Sequence, residues 1–399
     1  MWEWLGFKKP SPQSFAHALM KYAADHGFDG PMCFDATRFR ILTGETGNGI
    51  VNLANLYPGY RNARRSERGA HLARCFAMFG GEEMPTGFAQ ARANLLPAIR
   101  ARSYVESASL SAGAHGVTVF GDGAFAVLGS DAVVVLAYDH ADSMNILTGT
   151  QVEALGVPFA TALDAALANL RDRSVETLVR RPDGVCIAAW NDAYDSSRIL
   201  LPDVVHRAGI ANPVAMVPTR DQLLVAPASD RAALLAMLDL AQACHEHEGR
   251  PVSASLFHFE HGSAQEFVPD DAEVVLRLAN LKQLYLADDH ACQKQDLDAD
   301  NEQRSIDLFV ATFAVWQREG DPRLVSACTW SEGVEALLPR TDMVSFVSLD
   351  EAGQLRHAGT VEWAQVHAVA GHLMAPEPGM YPVRYRVSHF PDLRDLGLQ

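Results

Sequence analysis

Two polar clusters carry residue types suited to acid–base or anion chemistry. The first is Asn191-Asp192-Ala193-Tyr194-Asp195-Ser196-Ser197-Arg198 and the second is Thr219-Arg220-Asp221. Each follows a short apolar run that reads as a strand, and sheets commonly present polar side chains at strand ends. Asp192, Asp195 and Asp221 are candidate proton carriers, because burial or a neighbouring charge can tune a carboxyl towards neutral pH. Arg198 and Arg220 are candidate anion clamps, since a guanidinium offers a planar fork of donors to a carboxylate or phosphate. Tyr194 is a candidate binding residue beside them. The same residues also read as two turns fixed by ion pairs, Asp195 with Arg198 and Arg220 with Asp221. The turn-fixing reading is the one we expect.

A second candidate is Asp296-Leu297-Asp298-Ala299-Asp300-Asn301, flanked by helical stretches. A calcium loop places oxygen donors at positions one, three and five and a carboxylate at twelve. Counting from Asp296 supplies Asp298, Asp300 and, at twelve, Asp307. Asn301 stands where glycine is usual, Gln303 where an apolar residue is usual, and no second loop accompanies it. The competing reading is a solvated helix–turn–helix with Asp300 or Asn301 as an N-cap.

Arg61, Arg64, Arg65 and Arg68 recur at the spacing of one helical face. Such a face would take an acidic or phosphorylated protein partner, or the acidic 270–307 segment of the chain itself. Gly44-Glu45-Thr46-Gly47-Asn48-Gly49 sits where phosphate loops occur, but Ile50-Val51 follow in place of Lys and a hydroxyl residue. The His-containing groups, Cys244 to His247, His258 to His261 and Asp288 to Cys292, show no metal-ligand spacing. There is no Gly-x-Ser-x-Gly elbow. No cofactor motif is legible.

The elements that must position these residues are of mixed type. Phe15, Leu19 and Tyr22 mark an N-terminal helix. Met32 to Leu42 reads as two strands about a polar turn, and a helix is expected from about Val51 towards Phe79. Leu95, Leu96, Ile99 and Val105 suggest a further helix. Ala132 to Tyr138 is a continuous apolar run, the mark of a strand buried on both faces. Thr161–Leu170 and Arg231–His247 read as helices. Val214–Val217 and Leu223–Val225 form a hairpin about the Pro218–Asp221 turn. Residues 270–307 hold ten acidic and four basic residues, yet Val274, Val275, Leu278, Leu281 and Tyr285 keep a helical stripe. A helix is expected over Ile306–Trp316, then strands at 344–347 and 385–387 about a helix at 362–373. The expected fold class is α+β, with mixed or antiparallel sheets packed with helices in two to three domains: 1–110, 111–268 and 269–399.

The chain has 399 residues and a formal net charge of −16. That acidity argues against nucleic acid and anionic membrane surfaces as partners, because both are bound by clustered Lys and Arg. Six dispersed cysteines without a CxxC pair argue against a disulfide or zinc framework. No signal peptide or membrane span is expected, so a cytoplasmic setting is.

Four segments occurring in order carry a family likeness: Ala91–Pro97, Ala165–Leu170, Tyr194–Leu201 and Val214–Val225. On these the chain resembles the bacterial YtpQ-like family of unknown function, over residues 10–268, with an added C-terminal domain. The resemblance implies a cytosolic bacterial protein of mixed α and β structure and brings no activity, cofactor or catalytic residue. The expected function is a non-enzymatic binding or adaptor protein, with a protein as a partner class. Two alternatives stay open: an enzyme on a small anionic substrate using the carboxylates above, and a calcium-responsive switch through residues 296–307.

Overall fold

A computed structural model describes residues 9–36, 39–43, 49–53, 56–76, 85–113, 119–121, 123–140, 144–248, 251–350 and 353–398. Contacts divide the chain into one unit of Met1–Thr86 with Tyr138–Asn145 and a second of Gly87–Ala137 with Ile146–Gln399. These units do not follow the boundaries at 110 and 268. The fold is α+β, and among the described residues no helix is long and apolar enough to cross a membrane.

In the first unit, Ser11 caps the helix Pro12–Asp25, its Oγ accepting from Ser14 N at 3.1 Å, with Pro12 in the first turn where its missing N–H costs nothing. Phe15, Ala16, Leu19 and Ala23 form the buried side. They pack with Ile41, Leu53, Tyr60 and Cys75 against a three-stranded antiparallel sheet of Met32–Asp35, Arg40–Thr43 and Gly49–Asn52. The third strand stands where a helix was expected. Ile50 and Val51 are β-branched and pair with Leu42 and Ile41, so the helical stretch begins only at Tyr57. It comprises two helices, Tyr57–Asn62 and Arg68–Phe76, because Ala63 is extended at φ −64°, ψ 140°. The glycine-rich candidate at residues 44–48 lies outside the described residues.

The second unit is organised by a six-stranded antiparallel sheet in the order Ser263–Phe267, Leu256–Glu260, Pro213–Met216, Leu224–Pro227, Cys186–Ile187, Val179–Arg180. Both faces are covered, so side chains of alternate residues enter different cores. Ala215 and Val225 join Ile99, Val134, Ile199 and Val205 on one face. Val214, Met216, Leu224 and Ala226 meet Leu234, Met237, Leu278 and Tyr285 of the helices Arg231–Glu248 and Ala272–Arg304 on the other.

A second sheet places Ala132–Asp139 between Leu95–Ala101 and Phe125–Leu128. Leu95–Ala101 is a strand and not the expected helix. Pro97 removes a helical N–H, and all residues from Leu95 to Arg100 are buried, a burden no single helical face carries. The chain turns into the helix Arg102–Gly113 directly after this strand. Asn169 of the helix Phe159–Asp172 caps the approach, donating to Arg92 O at 2.7 Å and Leu95 O at 2.9 Å.

Ala272–Arg304 is one helix of 33 residues, opened by Asp271 and closed by Ser305 in the left-handed region at φ 55°. Beyond it, Phe309–Val310 and Ala314–Gln317 are strands where a helix was expected; Phe309, Val310, Val315 and Trp316 have the β-branched and aromatic character that suits a sheet. They belong to two four-stranded sheets that bury Trp330, Phe346, Leu338 and Val387 with the helix Trp363–Ala370. Arg384, wholly buried, joins helix to sheet: Nη1 donates to Ala311 O at 2.7 Å and Leu337 O at 3.2 Å, Nη2 to His290 O at 3.1 Å, and Nε to Gln293 Oε1. Arg384→Ala strands those acceptors, and is expected to lower stability by about 3 kcal/mol or more. A urea midpoint equal to that of the parent chain would contradict the role given to this side chain.

Candidate functional site

The cluster at 191–198 is a lock. Arg198 is buried, and its Nη1 and Nη2 donate to Asp192 Oδ1 and Oδ2 at 2.9 and 2.7 Å. Its Nε donates to Ser174 Oγ at 2.9 Å, which in turn donates to Leu170 O at the end of the helix Phe159–Asp172. The guanidinium lies 4.2 Å from the centre of the Trp190 ring, a cation–π geometry. Asp195 Oδ1 and Oδ2 accept the backbone N–H groups of Trp190 and Asn191 at 3.0 and 2.9 Å. These bonds hold Asn191 and Ala193 at φ 56° and 67°, a left-handed backbone that a residue with a Cβ adopts at a cost. Burial pulls the Asp192 carboxyl upward, but its hydrogen bonds and ion pair with Arg198 hold it below the ordinary value. Asp195 is raised, burial outweighing its backbone donors. Tyr194 is 1% exposed and packed inside. The residues proposed for proton transfer and anion binding here are therefore engaged with one another.

The turn at 219–221 differs. Thr219 is buried and bridges Pro251, whereas Asp221 is exposed. The Arg220 guanidinium stands 5.4 Å from the centre of the Tyr104 ring. Nearby, Arg100 is 3% exposed; its Nη1 donates to Ile99 O at 2.7 Å, while its buried Nε has no hydrogen-bond partner. Burial and the charge of Arg220 lower Arg100 to about 10, against upward pulls from Tyr104, Tyr194 and Asp221. The two predicted clusters thus share a neighbour, Arg100, which the sequence reading missed.

The other candidates are dispersed or rearranged. Asp296, Asp298 and Asp300 lie on the continuous helix Ala272–Arg304, and Asp307 beyond its end, so the calcium loop does not form. A helix spreads donors around its circumference, and two of these are already paired: Asp298 with Lys294 and Asp300 with Arg304. Among the described residues no group of three or more His, Cys, Asp or Glu is placed to hold a metal ion. Arg61, Arg64, Arg65 and Arg68 do not share a helical face, because the break at Ala63 separates them. Arg68 lies over the Tyr60 ring at 5.4 Å, and Arg64 N bonds Glu67 Oε2.

What the structure assembles instead is a cavity of about 680 Å³ in the second unit. Val105, Leu110, Phe120, Phe125, Met380 and Val383 give it an apolar wall, with Arg102, Asp300, Arg304 and Glu377 as its charged groups. The Arg102 guanidinium stacks on the Tyr381 ring at 4.4 Å and donates to Ser130 O at 3.4 Å. Among the described residues it forms no ion pair.

Three carboxylates, Asp131, Asp289 and Glu266, act on Tyr381 of this wall. Ser103 Oγ donates to Asp289 Oδ1 at 2.6 Å, and Ser253 Oγ to Asp131 Oδ1 at 2.6 Å. Glu266 Oε1 accepts from Ser130 N, Ser130 Oγ and Ser255 Oγ. Burial pushes Asp289 up to about 7, helped by the charges of Asp131 and Asp288 and opposed by the Ser103 bond. Burial raises Asp131 as well, against its bonds to Ser253 and Ala254 and the charge of Lys282. Tyr381, half-buried and facing the charges of Asp131 and Asp289, is raised in turn, desolvation being the larger cause.

No protein-family model matches the chain, and no curated protein or solved structure matches it significantly.

The Asp289 carboxyl binds its proton more tightly in the folded chain than in the unfolded one, where the value is near 3.8. The folded state therefore holds the extra proton between these values, and its contribution to stability falls as pH rises from about 4 through about 7. Asp289→Asn is expected to raise stability by about 1–2 kcal/mol at pH 8 and to flatten this slope. Thermal melts from pH 4 to 9 measure it; parallel curves for parent and variant would contradict the assignment.

Proposed function

We propose that the chain is a non-enzymatic binding protein that takes a small amphipathic anion, an apolar body bearing a carboxylate, sulfonate or phosphate, into the cavity beside Arg102. The observation that supports this most is the Arg102 guanidinium, stacked on Tyr381 at one side of a 680 Å³ space of mixed apolar and polar lining and without an ion pair among the described residues. Concave spaces of this volume that combine an apolar wall with convergent polar groups are a usual form of small-ligand sites. The consumption of Asp192, Asp195 and Arg198 by the fold favours binding over turnover at the central turns. The YtpQ-like resemblance and a bacterial cytosolic setting belong to the same proposal, and the six free cysteines fit a reducing compartment.

A second reading, an enzyme acting on a small anion, is favoured by one observation. Asp289, held at about 7 beside Ser103, has the proton affinity that acid–base chemistry at neutral pH needs. In that reading Asp289 and Asp131 replace Asp192, Asp195 and Asp221, and a bound ligand is recovered chemically altered.

Anilinonaphthalene sulfonate, an aromatic body with one anionic group, probes the cavity. Its fluorescence is expected to rise saturably with the folded chain, and Arg102→Gln to weaken binding about tenfold, the scale of one lost charged hydrogen bond. Equal affinity for parent and variant, with both folded, would overturn the role of Arg102.

A further inference from the structure

A separate groove of about 400 Å³ lies in the C-terminal part of the second unit. Three arginines line it: Arg318 and Arg323 from the two ends of the 318–323 turn, and Arg340 from the 340–342 connection. Three acids share its wall, Asp321, Asp342 and Glu362, and the two aspartates are occupied. Asp342 Oδ2 accepts from Ser326 N, Ser326 Oγ and Gln283 Nε2, and Oδ1 from Arg323 Nη2 at 3.4 Å. Asp321 Oδ1 accepts from Arg323 N at 2.8 Å. Arg318 and Arg340 are exposed and form no ion pair among the described residues. In a chain of net charge −16, surface guanidiniums have many carboxylates to meet, and these two face a shared concave space instead.

We propose that this groove binds a compact phosphate-bearing ligand, held by Arg318 and Arg340 with Arg323 as a third donor. Guanidiniums match tetrahedral oxyanions with paired hydrogen bonds. Asp342 keeps Arg323 directed at the rim, and Val325, Met343 and Trp363 bound the space below. The site is independent of the cavity at Arg102 and shares no lining residue with it.

Titration calorimetry of the full chain with sodium pyrophosphate at fixed ionic strength tests the proposal. Saturable binding at one site is expected, weakened about tenfold or more in Arg318→Ala/Arg340→Ala and unchanged in Arg102→Gln. Both arginines are exposed, so the double variant is expected to melt with the parent; Arg340→Gln alone serves if it does not. Binding no stronger than the response to sodium chloride at matched ionic strength would overturn the proposal. So would equal affinity in the folded arginine variants, or loss of binding in Arg102→Gln.

Discussion

A buried guanidinium must have its charge and its donors answered, because it keeps its proton even where solvation is lost. The second unit answers its guanidiniums in different ways. Arg198 is answered by a carboxylate fork, a serine and an indole face. Arg384 is answered by three carbonyls and an amide. Arg100 has one carbonyl and an orphaned Nε, with another guanidinium for a neighbour. Arg102, two residues on, turns to an aromatic face at the wall of a cavity. Of these four, only Arg100 keeps an orphaned buried nitrogen, and it stands at the junction of the strand Leu95–Ala101 and the helix Arg102–Gly113.

That junction is positioned by packing. The six-stranded sheet is buried on both faces, so its register is fixed by which side chains enter which core. The same sheet sets Ser253 and Ser255 against Asp131 and Glu266. The long helix brings Asp289 to Ser103 and, further along, Gln293 to Arg384. One rigid element thereby ties the carboxylate group to the C-terminal sheets, and the groove at Arg318 and Arg340 sits on those sheets as a second concave surface.

Much of the fold is legible in the residues. The α+β class, the double burial of Ala132–Tyr138, the hairpin about Pro218–Asp221 and the stripe from Val274 to Tyr285 follow from periodicity and turn chemistry. Where the reading departs from the structure, a local pattern yields to tertiary pairing. Ile50 and Val51 take a strand partner, Leu95 to Ile99 are needed on both sides of a sheet, and Phe309 to Trp316 join two sheets. A turn fixed by neighbours in sequence was accessible: Asp195 was expected to pair with Arg198, although Arg198 takes its carboxylate fork from Asp192 and stands 3.9 Å from Asp195. Arg102, Asp289 and Tyr381 were not, because their meeting depends on long-range packing that no spacing rule encodes. The one local sign was a pair of arginines, Arg100 and Arg102, closing an apolar run.

The charges at 192–198 serve the fold. A double-mutant cycle of Asp192→Asn and Arg198→Lys, read by equilibrium unfolding, measures this most directly. The two side chains are expected to couple by about 2 kcal/mol, each single variant being distinctly less stable than the parent. Coupling near zero, with stability untouched by either substitution, would contradict the account.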